Sequence, residues 1–241
     1  MKRIAITVVA LFVVFCVNAQ NIQLHYDFGH CIYDELDGSR APLTSTVEFF
    51  KPDKVGSTFF FVDMDYDDGV QSAYWEIARE LCFWHESPLG WLSAHAEYNG
   101  GLSSGVGAFN DAWLFGLTYS GHNADFSATW SLSAMYKHIS HTVDLDGKKQ
   151  CSNYQFTGVW NVDFAGKWLT FSGFADFWRE CRPWQNTTHI FMTEPQLWLN
   201  LNRIEILQNV NLSLGSEVEL SNNFVDKGFY AIPTVALKFT L

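Results

Sequence analysis

Apolar and polar side chains alternate through segment after segment of this chain, and no other feature limits its fold as tightly. In NYQFTGVWNVDF, Tyr154, Phe156, Gly158, Trp160, Val162 and Phe164 point one way, while Gln155, Thr157, Asn161 and Asp163 point the other. Successive side chains of a strand leave opposite faces, so this is a complete amphipathic strand. The same period runs through IQLHYDF, LTSTVEFF, STFFFVDMDY, WLSAHAEYN, AWLFGLTY, FSATWSLSAMY, WLTFSGFADFW, FMTEPQLWLNL, NVNLSLGSEVEL and FYAIPTVALKFTL. SAYWEIARELCFW brings the candidates to twelve. A membrane-crossing strand needs about 9–11 residues, which these segments supply. The pattern predicts an all-β fold: a single antiparallel transmembrane β-barrel of about 12 strands.

The connections fit that reading. Odd-numbered gaps are often long (31–42, 100–110, 139–152 and 181–188), whereas PDKVG, HESPLG, GHNA and AGK are short. Outer-membrane barrels show this asymmetry. DDGVQ is short and breaks it. Aromatics gather near strand ends, at Tyr66, Phe83, Trp84, Trp91, Tyr119, Tyr136, Tyr154 and Trp168, where interfacial girdles would lie. A soluble lipocalin-like barrel is the rival, and it needs only eight strands. SAYWEIARELCFW also has helical propensity, and as a strand it turns Arg79 toward lipid unless a bulge or an interfacial position relieves it.

MKRIAITVVALFVVFCVNA has the basic start, apolar run and small residues of a secretory signal peptide, with cleavage expected after Ala19. Residues 20–241 then form one domain with no dividing linker, destined for the outer membrane of a Gram-negative cell and its lipid. Losing Lys2 and Arg3 with no acid takes the formal charge from −11 to −13. That charge disfavours nucleic acid as a partner, because binding phosphates needs a basic surface. The remaining cysteines, Cys31, Cys82, Cys151 and Cys181, form no CxxC pair, so zinc is not indicated. Cys151 and Cys181 fall at the outer ends of consecutive predicted strands. A disulfide between them is one expectation, with Cys31 as a competing partner and free thiols as the alternative.

Several segments together resemble the nucleoside-specific channel-forming proteins of Gram-negative outer membranes, the Tsx-like family. LTSTVEFFKPDKVGSTFFFVDMDY looks like that family's second hairpin, and SAYWEIARELCFW is similar to its next strand. AHAEYNGGL, WLTFSGFADFW and FYAIPTVALKFTL follow in matching order. The resemblance implies a twelve-stranded barrel with a narrow pore for nucleosides. It also implies that Phe28, in YDFG, lines that pore. The residue before it is Asp27, where a relative carries a basic residue, so the solute itself is not carried over.

FFFVDMDYDDG, from Phe59, invites a calcium-loop reading that fails, since the sixth position from Asp63 is Asp68 rather than glycine and the twelfth is Tyr74 rather than glutamate. Within a barrel the apolar faces meet lipid and the opposite faces line the lumen. That gathers Asp27, Glu48, Asp63, Asp65, Glu76, Glu80, His95, Glu97, Asp176, Glu194 and Glu217 inside. An acidic interior attracts cations and repels anions. Neutral nucleosides or other small hydrophilic solutes would pass, with Phe28, Phe61, Phe174, Trp178 and Trp198 as stacking faces. A barrel filled by its own side chains is the structural alternative. An enzyme is disfavoured, because no GxSxG elbow occurs and the histidines are scattered. No cofactor or metal is called for.

Overall fold

The computed structural model describes residues 21–36 and 38–241. The expected signal peptide lies outside the described residues. Twelve antiparallel strands form a closed barrel: β1 Asn21–Asp27, β2 Leu43–Asp53, β3 Gly56–Tyr66, β4 Val70–Leu81, β5 Leu92–Ser103, β6 Gly107–His122, β7 Ala128–Ile139, β8 Ser152–Phe164, β9 Leu169–Arg182, β10 in two runs Thr187–Thr193 and Gln196–Asn200, β11 Leu212–Asn222 and β12 Phe229–Thr240. Neighbours in sequence are neighbours in the sheet, and β1 closes on β12, with Asn21 opposite Thr240 and Asp27 opposite Thr234. Closure removes the open edges that a hydrocarbon medium would not satisfy.

The alternation read from the sequence is the inside–outside pattern of the barrel. On β1, Gln23 and His25 are 3% exposed while Leu24 and Tyr26 are 45% and 41% exposed. Large outward apolar side chains continue around the wall at Ile77, Phe115, Leu117, Leu132, Phe156, Phe171, Leu197 and Val235. This belt faces outward because its partners across each ladder share its parity, as Val47 with Val62 and Phe49 with Phe60 on β2 and β3. Aromatic pairs cap it, among them Trp91 against Tyr119 at 5.2 Å.

SAYWEIARELCFW is a strand, and the cost of an outward Arg79 is met locally. Its Nη1 lies 2.6 Å from Asp53 Oδ2 and Nη2 donates 3.0 Å to Asp53 Oδ1, on the neighbouring β2–β3 hairpin end. The pair sits at the rim of the belt.

β10 is one strand interrupted at Glu194–Pro195, since both runs pair with β9 and β11. Pro195 has no N–H to give the ladder. Opposite the break stands Gly173, at φ +149°, where an added Cβ would lie 2.4 Å from the Glu194 carbonyl oxygen. Only glycine admits that approach.

The loop asymmetry expected from the sequence is weaker than drawn. Residues 100–110 are mostly strand, because Gly101 pairs with Phe109 and Ser103 with Gly107, leaving a turn of 104–106. The gap at 181–188 shrinks to 183–186 for the same reason. Glycine and serine there read as loop, yet a hairpin can stay paired past the apolar belt. Residues 28–42 do form a long connection, with a short helix α1 at Gly29–Ile32 and a 3-10 turn at Asp34–Leu36. It folds back against the barrel, where Leu36 packs with Tyr230 and Ile232.

The expected Cys151–Cys181 disulfide is absent: all four described cysteines are free. Register explains it. Gln155 stands opposite Trp178 and Phe156 opposite Phe177, which continued sets Ser152, not Cys151, across from Cys181. Cys151 then falls on the other face of the sheet.

Candidate pore

The inward faces enclose one cavity of about 2390 Å³. Its lining reaches from Arg40, Asp67 and Ser104 at the end carrying the β1–β2 loop to Pro52, Trp91, Phe126 and Leu241 at the other. Thirteen carboxylate residues line it against four lysines or arginines among the described residues. The lumen is therefore acidic along its length.

Hydroxyls and amides hold many of these acids in place. Thr46 donates 2.5 Å to Asp63, while Thr44 and Ser72 donate 2.7 and 2.6 Å to the two oxygens of Asp65. Asn21 serves Glu48 at 3.0 Å, Tyr74 serves Glu76 at 2.5 Å, Thr157 serves Asp176 at 2.5 Å and Gln196 serves Glu217 at 2.5 Å. These donors are neutral, so they orient the carboxylates without cancelling their field. Glu97 and Glu194 line the same space.

His95 lies between two acids, with Nδ1 2.5 Å from Glu80 and Nε2 3.1 Å from Glu97. Ser93 also donates to Glu80. The Thr118 hydroxyl is 3.5 Å from His95 Nδ1, but its closer bond is to Glu80 at 2.9 Å. Among the described residues, Nε2 has Glu97 as its hydrogen-bond partner, and the one hydroxyl at the ring is Thr118 on Nδ1.

Among the aromatics, Phe61, Phe174 and Trp178 line the cavity. Two expected faces lie elsewhere. Phe28 stands outside the lining, edge-on to the outward Tyr26 at 5.2 Å, because the chain turns into α1 directly after it. Trp198 points inward but is fully buried, with Lys238 Nζ 4.0 Å above its ring and His25 at its edge. It packs the wall and offers no free face.

The inward cations were missing from the sequence reading. Lys137 Nζ donates 2.7 Å to Gln155 and sits 4.8 Å from the Trp178 ring centre. Arg182 binds Glu180 at 3.1 Å. Arg40 reaches from the β1–β2 loop to Asp27 at 2.9 Å and Glu219 at 2.8 Å. Burial works against its charge, yet the two carboxylates outweigh that and hold the guanidinium above its ordinary pKa. Strand parity would have found Lys137 and Lys238, which share a face with Met135 and Ala236. Nothing in the sequence placed Arg40.

Residues 19–241 match the family described as "Domain of unknown function (DUF5020)". The chain belongs to that family. That match does not extend to the Tsx-like family that the segments resemble. No curated protein matches the chain. Among solved structures, the NanC porin superposes with a TM-score of 0.60 at 11% identity, over 92% of this chain and all of that one. LpxR from Salmonella typhimurium gives 0.47 at 7% identity over 92% and 100%, and OccK5 of Pseudomonas aeruginosa 0.45 at 10% over 91% and 62%. The likeness to NanC shows a shared barrel fold, and the two lower scores add no argument.

Proposed function

We propose that this barrel is an outer-membrane channel for small hydrophilic solutes, with a cation-preferring lumen that admits nucleosides and turns away nucleotides. One observation carries the reading: the cavity is lined from one rim to the other, and carboxylates dominate its charge. A charged substrate that must cross such a lumen feels the sign of the whole wall. The apolar outer belt and the fold shared with a porin support a membrane setting, which the signal-like leader would reach by secretion. Nucleosides enter through the Tsx-like resemblance of the segments and the inward rings of Phe61 and Phe174.

The test is uptake into liposomes carrying the refolded chain. Radiolabelled adenosine should enter faster than adenosine monophosphate, and faster than into protein-free liposomes. Equal entry of the two would contradict the charge argument. Entry of neither would favour a closed barrel, for which the β1–β2 loop packed on Tyr230 and Ile232 is the structural reason.

A further inference from the structure

Asn99 carries a side-chain oxygen with no hydrogen-bond partner, although the residue is only 3% exposed. It lines the lumen from β5. A buried acceptor left unpaired is costly and uncommon, so what surrounds it matters. Across the ladder stands Glu76 of β4, and two residues along the same face of β5 stands Glu97. All three groups can accept hydrogen bonds, and the carboxylates add negative charge.

Two rings complete the pocket. Tyr74 and Phe109 lie nearly parallel, with centroids 6.4 Å apart and planes 19° from each other. Both flank Gly101, their ladder partner, whose missing side chain gives the Phe109 ring its place: a Cβ there would lie 2.4 Å from Phe109 Cζ. Three other inward rings already hold a cation. Lys137 sits over Trp178, Arg182 over Phe224 and Lys238 over Trp198. Among the described residues no lysine or arginine lies over Tyr74 or Phe109, and Lys137 is committed to Gln155.

We infer that Asn99, Glu76, Glu97, Tyr74 and Phe109 form a binding site inside the lumen for a flat organic cation that carries N–H donors, such as an amidinium, a guanidinium or a protonated heteroaromatic amine. The donors meet Asn99 and the carboxylates. The flat face meets the rings, where a cation gains over a neutral solute of the same shape. This rests on the channel reading and adds to it a charge for the preferred solute.

Benzamidinium is the probe, with benzamide as its neutral counterpart and benzoate as its anionic one. Titration calorimetry on the refolded chain in detergent should show benzamidinium binding at least tenfold tighter than benzamide, and benzoate not binding. Glu97→Gln and Phe109→Ala should each weaken benzamidinium at least fivefold, and Asn99→Leu replaces either variant that fails to refold. Equal affinity for benzamidinium and benzamide, tighter binding of adenosine than of benzamidinium, or variants that bind like the parent would overturn the site. A barrel that binds benzamidinium but passes no current keeps the site and loses the channel. One that conducts yet binds the three probes alike keeps the channel and loses the site.

Discussion

Arg40 Nη2 lies 2.8 Å from Glu219 Oε2, joining the β1–β2 loop to β11. The two residues are 179 positions apart, so the bond forms only once the barrel has closed. Arg40 also binds Asp27 at 2.9 Å, and Asp27 in turn accepts the Gly29 N–H at 2.6 Å. The guanidinium therefore ties the loop to both sides of its own mouth. Arg40→Gln should lower unfolding stability in urea by about 2 kcal/mol, the scale of lost hydrogen bonds to charged groups. It should also speed proteinase K cleavage within 28–42. An unchanged digestion pattern would mean that Leu36 and its apolar neighbours hold the loop unaided.

Gly101 leaves room for the Phe109 ring, and filling that room should move the ring into the pore. Gly101→Ala is expected to cost about 1–3 kcal/mol as overpacking. Single-channel conductance should fall while ion preference stays as it was. Unaltered conductance would show that the ring can withdraw elsewhere.

Gly173 holds a backbone conformation closed to other residues and faces the break at Pro195. Gly173→Ala should destabilise the barrel by about 1–3 kcal/mol, the range for such backbone strain. Urea unfolding followed by tryptophan fluorescence reads this directly.

The cysteines give a chemical test. Cys31 is exposed, Cys151 half-buried, and Cys82 and Cys181 buried. Maleimide applied to the folded, unreduced chain should label Cys31 first, and all four after unfolding without reductant. Protection of Cys151 and Cys181 until a reductant is added would restore the disulfide that the register argues against.

Much of the fold was legible because a barrel wall has the same two-residue period everywhere. Each strand, including SAYWEIARELCFW, falls where the alternation put it. Arg79 breaks the pattern because its partner Asp53 lies at the end of the neighbouring β2–β3 hairpin, and a lateral partner leaves no trace in the period of its own strand. Strand ends were harder: NGGLSSGVGAF reads as loop, yet its backbone stays paired almost to the turn. The acids were placed by parity alone, and so were Phe61 and Trp178. Trp198 also points inward as parity requires, but Lys238 covers its ring, and Phe28 misses the lumen because it lies past the end of its strand. Asn99, Tyr74 and Phe109 come from three strands, and their meeting depends on register, which the alternation does not specify.

An acidic lumen open to ions is tested most directly by the reversal potential of the refolded chain in a planar bilayer under a potassium chloride gradient. A potential of the sign set by potassium, reduced in Asp63→Asn and Glu48→Gln, is the predicted result. A potential of the sign set by chloride, or a folded barrel with no current, would contradict it.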